Sequence, residues 1–232
     1  MTGFRHIATT MQGQVRNLTD LTIGKVGDRL VLVGATHAGG GGSIYAVTGA
    51  DTAPQLAESY TYARSLRHMA EPQALLIDRP NGGTALLTAG ISGGVRDVRW
   101  LDPDLGRGAG DRGLSGAGLP SSLLDAGSFT TASGRSLLWT TRDNSGELSI
   151  WHQRADGGLS LMARDAWPGR MPPGGQIDSV LTLRLGGVDM IVQASTLGNY
   201  IGAHVVTPDG RMGSGQFVGS SRGTGFNGPR DL

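Results

Sequence analysis

An internal repeat of about 52 residues constrains the fold of this chain more than any other feature of its sequence. A glycine column has steps of 52, 52 and 52 residues and comprises Gly42, Gly94, Gly146 and Gly198. An aspartate column has steps of 53, 52 and 53 residues and comprises Asp51, Asp104, Asp156 and Asp209. Apolar runs recur in the same register, so the two columns together indicate four copies of one structural unit.

Each copy of the repeat has the pattern of four short β-strands. The second strands contain the runs LVLVGA, ALLTAG, SLLWTT and MIVQAS, which lack the period of a helix. A weaker apolar run precedes each of them and another follows. The column aspartate fits the turn that ends the third strand. The column glycine is predicted to lie between the second and third strands, at a positive φ, which glycine adopts without steric cost.

These strands predict an all-β protein, a β-propeller or open propeller segment with four four-stranded blades in one domain over residues 1–232. The predicted blades span approximately 16–65, 72–120, 121–166 and 176–220. An extra outer strand is predicted at 3–11 and an extra inner strand at 225–232. Such ends suggest a segment of a longer ring, whose open edge another chain or domain would cover. The alternative is a closed four-bladed ring with irregular tails.

Composition and charge exclude several classes of partner. The net charge of +1 provides no broad basic field, so nucleic acid is not expected as a partner. The longest apolar runs are a handful of residues, so no membrane insertion is expected. The chain has no cysteine, which excludes disulfides and thiolate metal sites. Glycine supplies 40 of the 232 residues, against a usual share of about 7%, and fits many tight turns.

The blade pattern, LTDLTIGKVGDRLVLVGATHAGGGGSIYAV and its copies, resembles the propeller-like N-terminal region of bacterial hemolysin-type (RTX-like) calcium-binding proteins. The resemblance implies secretion by a type I route and therefore an extracellular or cell-surface location. A cytoplasmic location is the alternative, because a cytoplasmic protein would have the same sequence features. The calcium-binding nonapeptides of that family are not found in this sequence. No cofactor is therefore expected, and calcium would bind only to further repeats outside this chain.

The connections between strands supply candidate ligand-binding side chains. The candidates are one histidine in each of two loop classes, a polar pair after the second strand of blade 3, and a tryptophan and an arginine in the proline-rich connection between blades 3 and 4. In this order they are His37, His68, Arg142, Asp143, Trp167 and Arg170. An exposed tryptophan beside an arginine is able to stack on a sugar ring, and a plug that anchors the loop is the alternative.

Other motifs favour structural roles. Ser92 and Ser221 lie in G-x-S-x-G matches without the strand–turn–helix context of a nucleophile, so no catalytic residue is predicted. The histidines lack the spacing of a helical zinc site, and ordinary surface or packing roles are favoured over a metal site shared by His37 and His68. Trp100 and Trp151 on third strands and Trp139 on a second strand are expected to pack between blades. The glycine-rich insertion at 105–120 favours a mobile loop.

Two classes of function fit these patterns. The first is a non-enzymatic binding or scaffolding module that presents its loops to a glycan or a protein partner. The second is a metal-dependent propeller hydrolase of the lactonase kind. The repeated aspartates lie at predicted turns, and the loops carry mainly Gly, Ser and Arg. The first class is therefore preferred.

Overall fold

The structure is a computed structural model. It describes residues 12–37, 40–61, 72–78, 83–89, 96–105, 123–142, 145–154, 158–166, 176–219 and 228–229. The secondary structure of these residues consists of fifteen β-strands joined by turns, with no helix among them. A search of the same residues for a helix that is long and apolar enough to cross a membrane finds none. The all-β prediction is confirmed.

The chain divides into two compact units, of which unit 1 comprises residues 1–77 and 81–113. Blade 1 is a meander of β1 (Leu18–Val26), β2 (Arg29–Thr36), β3 (Gly41–Val47) and β4 (Gln55–Thr61), in that order. Blade 2 has β5 (Gln73–Asp78), β6 (Thr84–Ala89) and β7 (Arg96–Leu101), again in that order. The described part of blade 2 is therefore a three-stranded sheet, and the insertion at 105–120 lies outside it except for Leu105.

Unit 2 comprises residues 78–80 and 114–232. Blade 3 is a meander of β8 (Leu123–Thr130), β9 (Ser136–Arg142), β10 (Glu147–Gln153) and β11 (Leu159–Ala166). Blade 4 is a meander of β12 (Ser179–Leu185), β13 (Val188–Ser195), β14 (Tyr200–Val206) and β15 (Gln216–Gly219). The extra strands predicted at 3–11 and 225–232 lie outside the described residues, apart from the pair 228–229.

Neighbouring blades pack face to face within each unit. We call the face of a blade that is turned toward the next blade in sequence its forward face, and the opposite face its backward face. In unit 1 the forward face of blade 1 contributes Val31, Val33 and Ile44 to a buried cluster, and the backward face of blade 2 contributes Ala74 and Leu86. Since side chains alternate across a strand, each blade has one apolar set for each neighbour.

The contact between blades 3 and 4 forms the core of unit 2. The forward face of blade 3 supplies Leu137, Trp139 and Ile150, and the backward face of blade 4 supplies Ile191 and Val206. Trp151 is 1% exposed on the opposite face of blade 3. Its indole Nε1 donates a hydrogen bond of 2.9 Å to Thr140 Oγ1. Trp139 packs between blades as predicted, and Trp151 is buried, whereas the side chain of Trp100 is not described.

The predicted role of the glycine column is wrong for Gly42. Gly42 lies inside β3, and the positive φ in this connection belongs to Gly40 (61°). A Cβ on Gly42 would lie 2.6 Å from the carbonyl oxygen of Gly34 and 2.6 Å from Tyr60 Oη. Glycine is therefore required at position 42 for close packing of neighbouring strands. Gly198 lies in the connection between the second and third strands, as predicted, but the positive φ there belongs to the next residue, Asn199 (52°).

The aspartate column is at the predicted place in three of the four blades. Asp51 and Asp209 lie in the turns between the third and fourth strands of blades 1 and 4, and Asp104 follows β7. In the turn of blade 4, Thr207 Oγ1 donates a hydrogen bond to Asp209 Oδ1, and the next residue, Gly210, has a φ of 86°. Asp156 lies outside the described residues.

Candidate functional site

A third repeated column marks one end of the blades. It comprises Asp20, Gln73, Asp125 and Asp178, with the steps of 53, 52 and 53 residues that also separate the turn aspartates. Asp20, Gln73 and Asp125 lie in the first three residues of the first strand of a blade, and Asp178 immediately precedes β12. We call this end, at which the first strand begins and the second strand ends, the upper end. This column was not predicted from the sequence, although its regular steps are visible there.

In unit 1, the upper-end carboxylate connects two blades. Asp20 Oδ2 accepts a hydrogen bond of 2.7 Å from the backbone N–H of Ala74, on the first strand of blade 2. Beside it, Thr19 Oγ1 donates to the carbonyl oxygen of Pro72 at 2.8 Å. A carboxylate held in this way keeps a fixed direction and retains unused lone pairs, because each ionised carboxylate has about four acceptor positions.

In unit 2, two upper-end carboxylates also bind backbone amides. Asp178 Oδ2 accepts a hydrogen bond of 2.6 Å from the N–H of Thr196, and its Oδ1 accepts one of 3.1 Å from Gln176 Nε2. Asp125 Oδ1 accepts a hydrogen bond of 2.7 Å from the N–H of Ala126. The three aspartates of the column each accept a backbone N–H with one oxygen, but the amides differ in position. The amide belongs to the next blade for Asp20, to the turn after β13 for Asp178, and to the following residue for Asp125.

Two of the predicted ligand-binding residues lie at the upper ends. The N–H of His37 donates to the carbonyl oxygen of Asn17 at 3.1 Å, so the connection after β2 lies beside the start of β1. Arg142 is the last residue of β9 and pairs with Leu123, at the start of β8. Both side chains are exposed, and each follows the upper-end aspartate of its blade by 17 residues.

The other predicted ligand-binding residues are not placed. His68, Asp143, Trp167 and Arg170 lie outside the described residues, as do both G-x-S-x-G serines. In the part of the chain that the structure describes, no group of three or more His, Asp or Glu side chains is placed to hold a metal ion.

A buried polar cluster lies where blades 3 and 4 meet, and it was not predicted as a site. His204 is completely buried, with Nδ1 3.2 Å from the carbonyl oxygen of Gly213 and Nε2 3.5 Å from Asp165 Oδ2. The ring of Phe217 packs edge-to-face against His204, with centroids 5.5 Å apart. Burial, followed by the negative charges of Asp178 and Asp165, raises the pKa of Tyr200 well above its usual value of 10.

The role of His204 agrees with the packing role expected for it from sequence. The sequence of its strand, YIGAHVV, predicts only that every second side chain is buried. It does not predict that a carboxylate from another blade lies near the histidine ring. The cluster brings a buried histidine of blade 4 within 3.5 Å of a partly exposed carboxylate of blade 3. The exposed side chains at the upper ends, His37 and Arg142, are the candidates for ligand contact.

Comparison with known proteins gives structural neighbours only. No protein-family profile and no curated protein matches the chain. A thermostable family-43 glycoside hydrolase superposes with a TM-score of 0.54 at 13% identity, over 94% of this chain and 79% of its own. An exo-β-1,3-galactanase from Clostridium thermocellum has a TM-score of 0.57 at 12% identity, over 90% of this chain and 50% of its own.

A 6-phosphogluconolactonase-like protein from Bacteroides fragilis has a TM-score of 0.58 at 15% identity, over 85% of this chain and 56% of its own. The chain thus spans about half the length of the galactanase and lactonase-like neighbours. At these identities the likeness shows the fold alone. Together with the repeated four-stranded meanders, it defines the chain as a protein of the β-propeller class, and the predicted fold class is confirmed.

Proposed function

We propose that this chain is a non-enzymatic, glycan-binding β-propeller module that uses the upper ends of its blades. One observation carries the proposal. Asp20, Asp125 and Asp178 recur at equivalent positions, and each uses one carboxylate oxygen to fix a backbone amide. A repeated carboxylate with a fixed direction is a preorganised acceptor for the hydroxyl groups of a sugar.

The neighbouring side chains supply the complementary chemistry in blades 1 and 3. His37 and Arg142 are exposed beside Asp20 and Asp125, and both are able to donate hydrogen bonds to sugar oxygens. The carboxylates stabilise the backbone and orient a ligand, so they are assigned to binding and not to proton transfer. Hydrolysis of a glycoside requires, in addition, a general acid and a nucleophile or base on either side of one bond.

The first ligand to test follows from the structural neighbours. Three of them are structures of exo-β-1,3-galactanases, and two of these contain β-1,3-galactotriose. We therefore choose β-1,3-galactotriose as the probe, with galactose as the minimal ligand. The sugar is bound by two of the neighbours named above, and its binding to this chain is what we propose.

Isothermal titration calorimetry on the whole chain tests the proposal. Asp20→Asn keeps an oxygen for the N–H of Ala74 but removes the charge, and it should weaken binding of β-1,3-galactotriose about tenfold, because a hydrogen bond to a charged group contributes about 1.5–3 kcal/mol. Asp51→Asn is the control, since Asp51 lies in a turn at the opposite end of the same blade. Equal affinity of the two variants, or no heat of binding with the natural sequence, would refute the proposal.

The second candidate function is a metal-dependent hydrolase of the lactonase kind. It is favoured by the glycoside hydrolase and lactonase-like neighbours, and by the two carboxylates, Asp165 and Asp178, whose charges act on Tyr200. Elemental analysis of the purified chain separates the two candidates. A stoichiometric divalent ion, with release of product from a lactone or a glycoside that EDTA stops, would replace the binding module by the hydrolase.

We also propose that the protein acts outside the cell or at its surface, where a glycan or a protein partner would be met. The resemblance to the propeller-like region of hemolysin-type proteins supports this location. Fractionation of the producing bacterium, with immunodetection of the chain, tests it. Recovery of the chain in the culture medium or on intact cells is expected, and recovery only in the cytosol would contradict it.

A further inference from the structure

The two faces of blade 4 differ sharply in burial. On β14, Tyr200, Gly202, His204 and Val206 are buried, and these side chains belong to the backward face that packs on blade 3. The residues between them, Ile201, Ala203 and Val205, are half-buried or exposed. Blade 4 therefore has one packed face and one face that is half-buried or exposed along β14. At the upper end, where Ala194 is buried, residues 228–229 bind the turn after β13 through Thr196 and Asn199.

This forward face of blade 4 is apolar across all four strands. Cross-strand neighbours share a face, and the pairs Leu181–Val192, Leu183–Met190, Leu185–Val188, Met190–Val205 and Ile201–Val218 are all apolar. The exposed fraction is 68% for Leu185, 44% for Val205 and 42% for both Leu181 and Val218. A contiguous apolar patch of this kind marks an interaction site.

Blade 1 has the opposite face uncovered. Leu21, Ile23 and Leu30 belong to its backward face and are 54%, 64% and 38% exposed. Residues 12–14 lie across the outer half of the same face, since Tyr45 Oη donates to the carbonyl oxygen of Gln12 at 2.6 Å. The inner half, formed by β1 and β2, is left exposed.

The contacts inside the two units show what a forward face binds. In unit 1 the forward face of blade 1 packs on the backward face of blade 2, where a Cβ on Gly24 would lie 2.7 Å from Leu76 Cδ1. In unit 2 the forward face of blade 3 packs on the backward face of blade 4 through Trp139 and Ile191. In both units a forward face meets a backward face. The forward face of blade 4 and the backward face of blade 1 carry exposed apolar residues that take no part in these two contacts.

We propose that the forward face of blade 4 binds the backward face of blade 1 of a second copy of this chain. The contact is head to tail, because two different surfaces meet, and it repeats the blade-to-blade packing of each unit. The forward face of blade 4 has no charged residue among its paired positions, so its occupant is largely apolar. Leu21, Ile23 and Leu30 supply such a surface on blade 1, with the exposed Lys25 at its lower end. The assembly does not depend on glycan binding.

Two substitutions test the two apolar faces separately. Val205→Lys places a charge on the forward face of blade 4, and Ile23→Lys places one on the backward face of blade 1. Both positions are exposed, so the lysines should leave the fold intact, which circular dichroism checks. Leu197→Lys is the control, because Leu197 is 59% exposed but lies in the turn between β13 and β14.

Sedimentation velocity over a range of concentrations gives the test. The natural sequence and Leu197→Lys should form dimers or larger assemblies with the same dissociation constant, whereas Val205→Lys and Ile23→Lys should each weaken association at least tenfold. An equimolar mixture of the two variants should recover a dimer, because one intact forward face and one intact backward face remain.

Three results would overturn the proposal. The first is a natural sequence that stays monomeric at all concentrations, which would mean that a different partner, or the chain itself, covers the two faces. The second is an Ile23→Lys variant that associates as strongly as the natural sequence, which would mean that two forward faces bind each other. The third is an equimolar mixture of Val205→Lys and Ile23→Lys that stays monomeric although each variant is folded.

Discussion

Three aspartates of blade 4 show how the surroundings of a carboxylate determine its role. Asp178 binds the N–H of Thr196 at the upper end, and Asp189 is buried and binds Arg184. Asp209 is exposed in a turn, where its pKa is lowered, chiefly by the hydrogen bond from Thr207. The residue type is the same in all three places. The hydrogen-bond partners alone make one a candidate ligand contact, one a buried connection between blades and one a turn residue.

Tyr200 leads to a prediction of pH dependence. Burial and the charges of Asp178 and Asp165 raise the pKa of its hydroxyl in the folded state above the value of 10 expected in the unfolded chain. The folded state therefore retains a proton that the unfolded state loses above pH 10. Stability from this group is complete below pH 10 and falls as the pH rises further, with a slope of up to about 1.4 kcal/mol per pH unit.

Urea unfolding between pH 8 and pH 11 measures this slope. Tyr200→Phe should flatten the loss of unfolding free energy above pH 10, since phenylalanine has no proton to release. Tyr45→Phe is a control at another buried tyrosine. An identical alkaline slope in the natural sequence and in Tyr200→Phe would show that Tyr200 ionises equally in both states.

The glycines show where prediction from sequence failed at the scale of single residues. The column through Gly42 was correctly identified as structural, and positive φ was the expected reason. The reason in the structure is the approach of the Gly34 carbonyl and the Tyr60 hydroxyl to the position where a Cβ would be. Such an approach depends on the neighbouring strands, and a single sequence does not show which residues come together across them.

At the scale of strands, alternation of apolar residues predicted most elements but not their irregularities. The third and fourth strands of blades 1 and 3 change register between Ile44 and Tyr45 and between Ile150 and Trp151. These two bulges are at nearly equivalent places in the repeat. A bulge is a property of two paired strands, and the sequence of one strand shows only that each apolar run continues.

The connection between blades 3 and 4 supports a prediction on stability. Asp189 Oδ1 accepts from Arg184 Nε at 2.7 Å, and Oδ2 accepts at 2.6 Å from the N–H of Ala132, in the turn after β8. Asp189→Ala leaves this amide without its partner. The free energy of unfolding should fall by about 2 kcal/mol, the scale of a hydrogen bond to a charged, buried group.

Chemical denaturation of the whole chain measures the loss. Asp209→Ala is the matched control, because Asp209 is also paired with an arginine of blade 4, Arg211, but is exposed. The control should lose much less unfolding free energy than Asp189→Ala, because the partners of Asp209 are exposed to water. Equal losses in the two variants would mean that the bridge from β13 to blade 3 contributes nothing beyond an exposed ion pair.

At the scale of the whole molecule, the repeat was the strongest information in the sequence. Two residue columns predicted four blades and the all-β class, since equal spacing implies equal units. The candidate site was predicted in part. His37 and Arg142 stood out as polar residues in connections, whereas Asp20 and Asp178 did not, because an aspartate beside a predicted strand resembles any turn residue until its partner, Ala74 or Thr196, is known.

The meander order of every blade predicts a gradient of protection from hydrogen exchange. The strands β2 and β13 are hydrogen-bonded on both sides and carry largely buried side chains, whereas β4 and β15 are bonded on one side only. Peptides from β2 and β13 should therefore exchange at least about tenfold more slowly than those from β4 and β15 in mass spectrometry, because exchange from an edge strand needs only local opening. Equal protection of β4 and β2, or of β15 and β13, would mean that the outer edge of that blade is covered by a further strand, and the four-stranded unit inferred from the repeat would have to be enlarged.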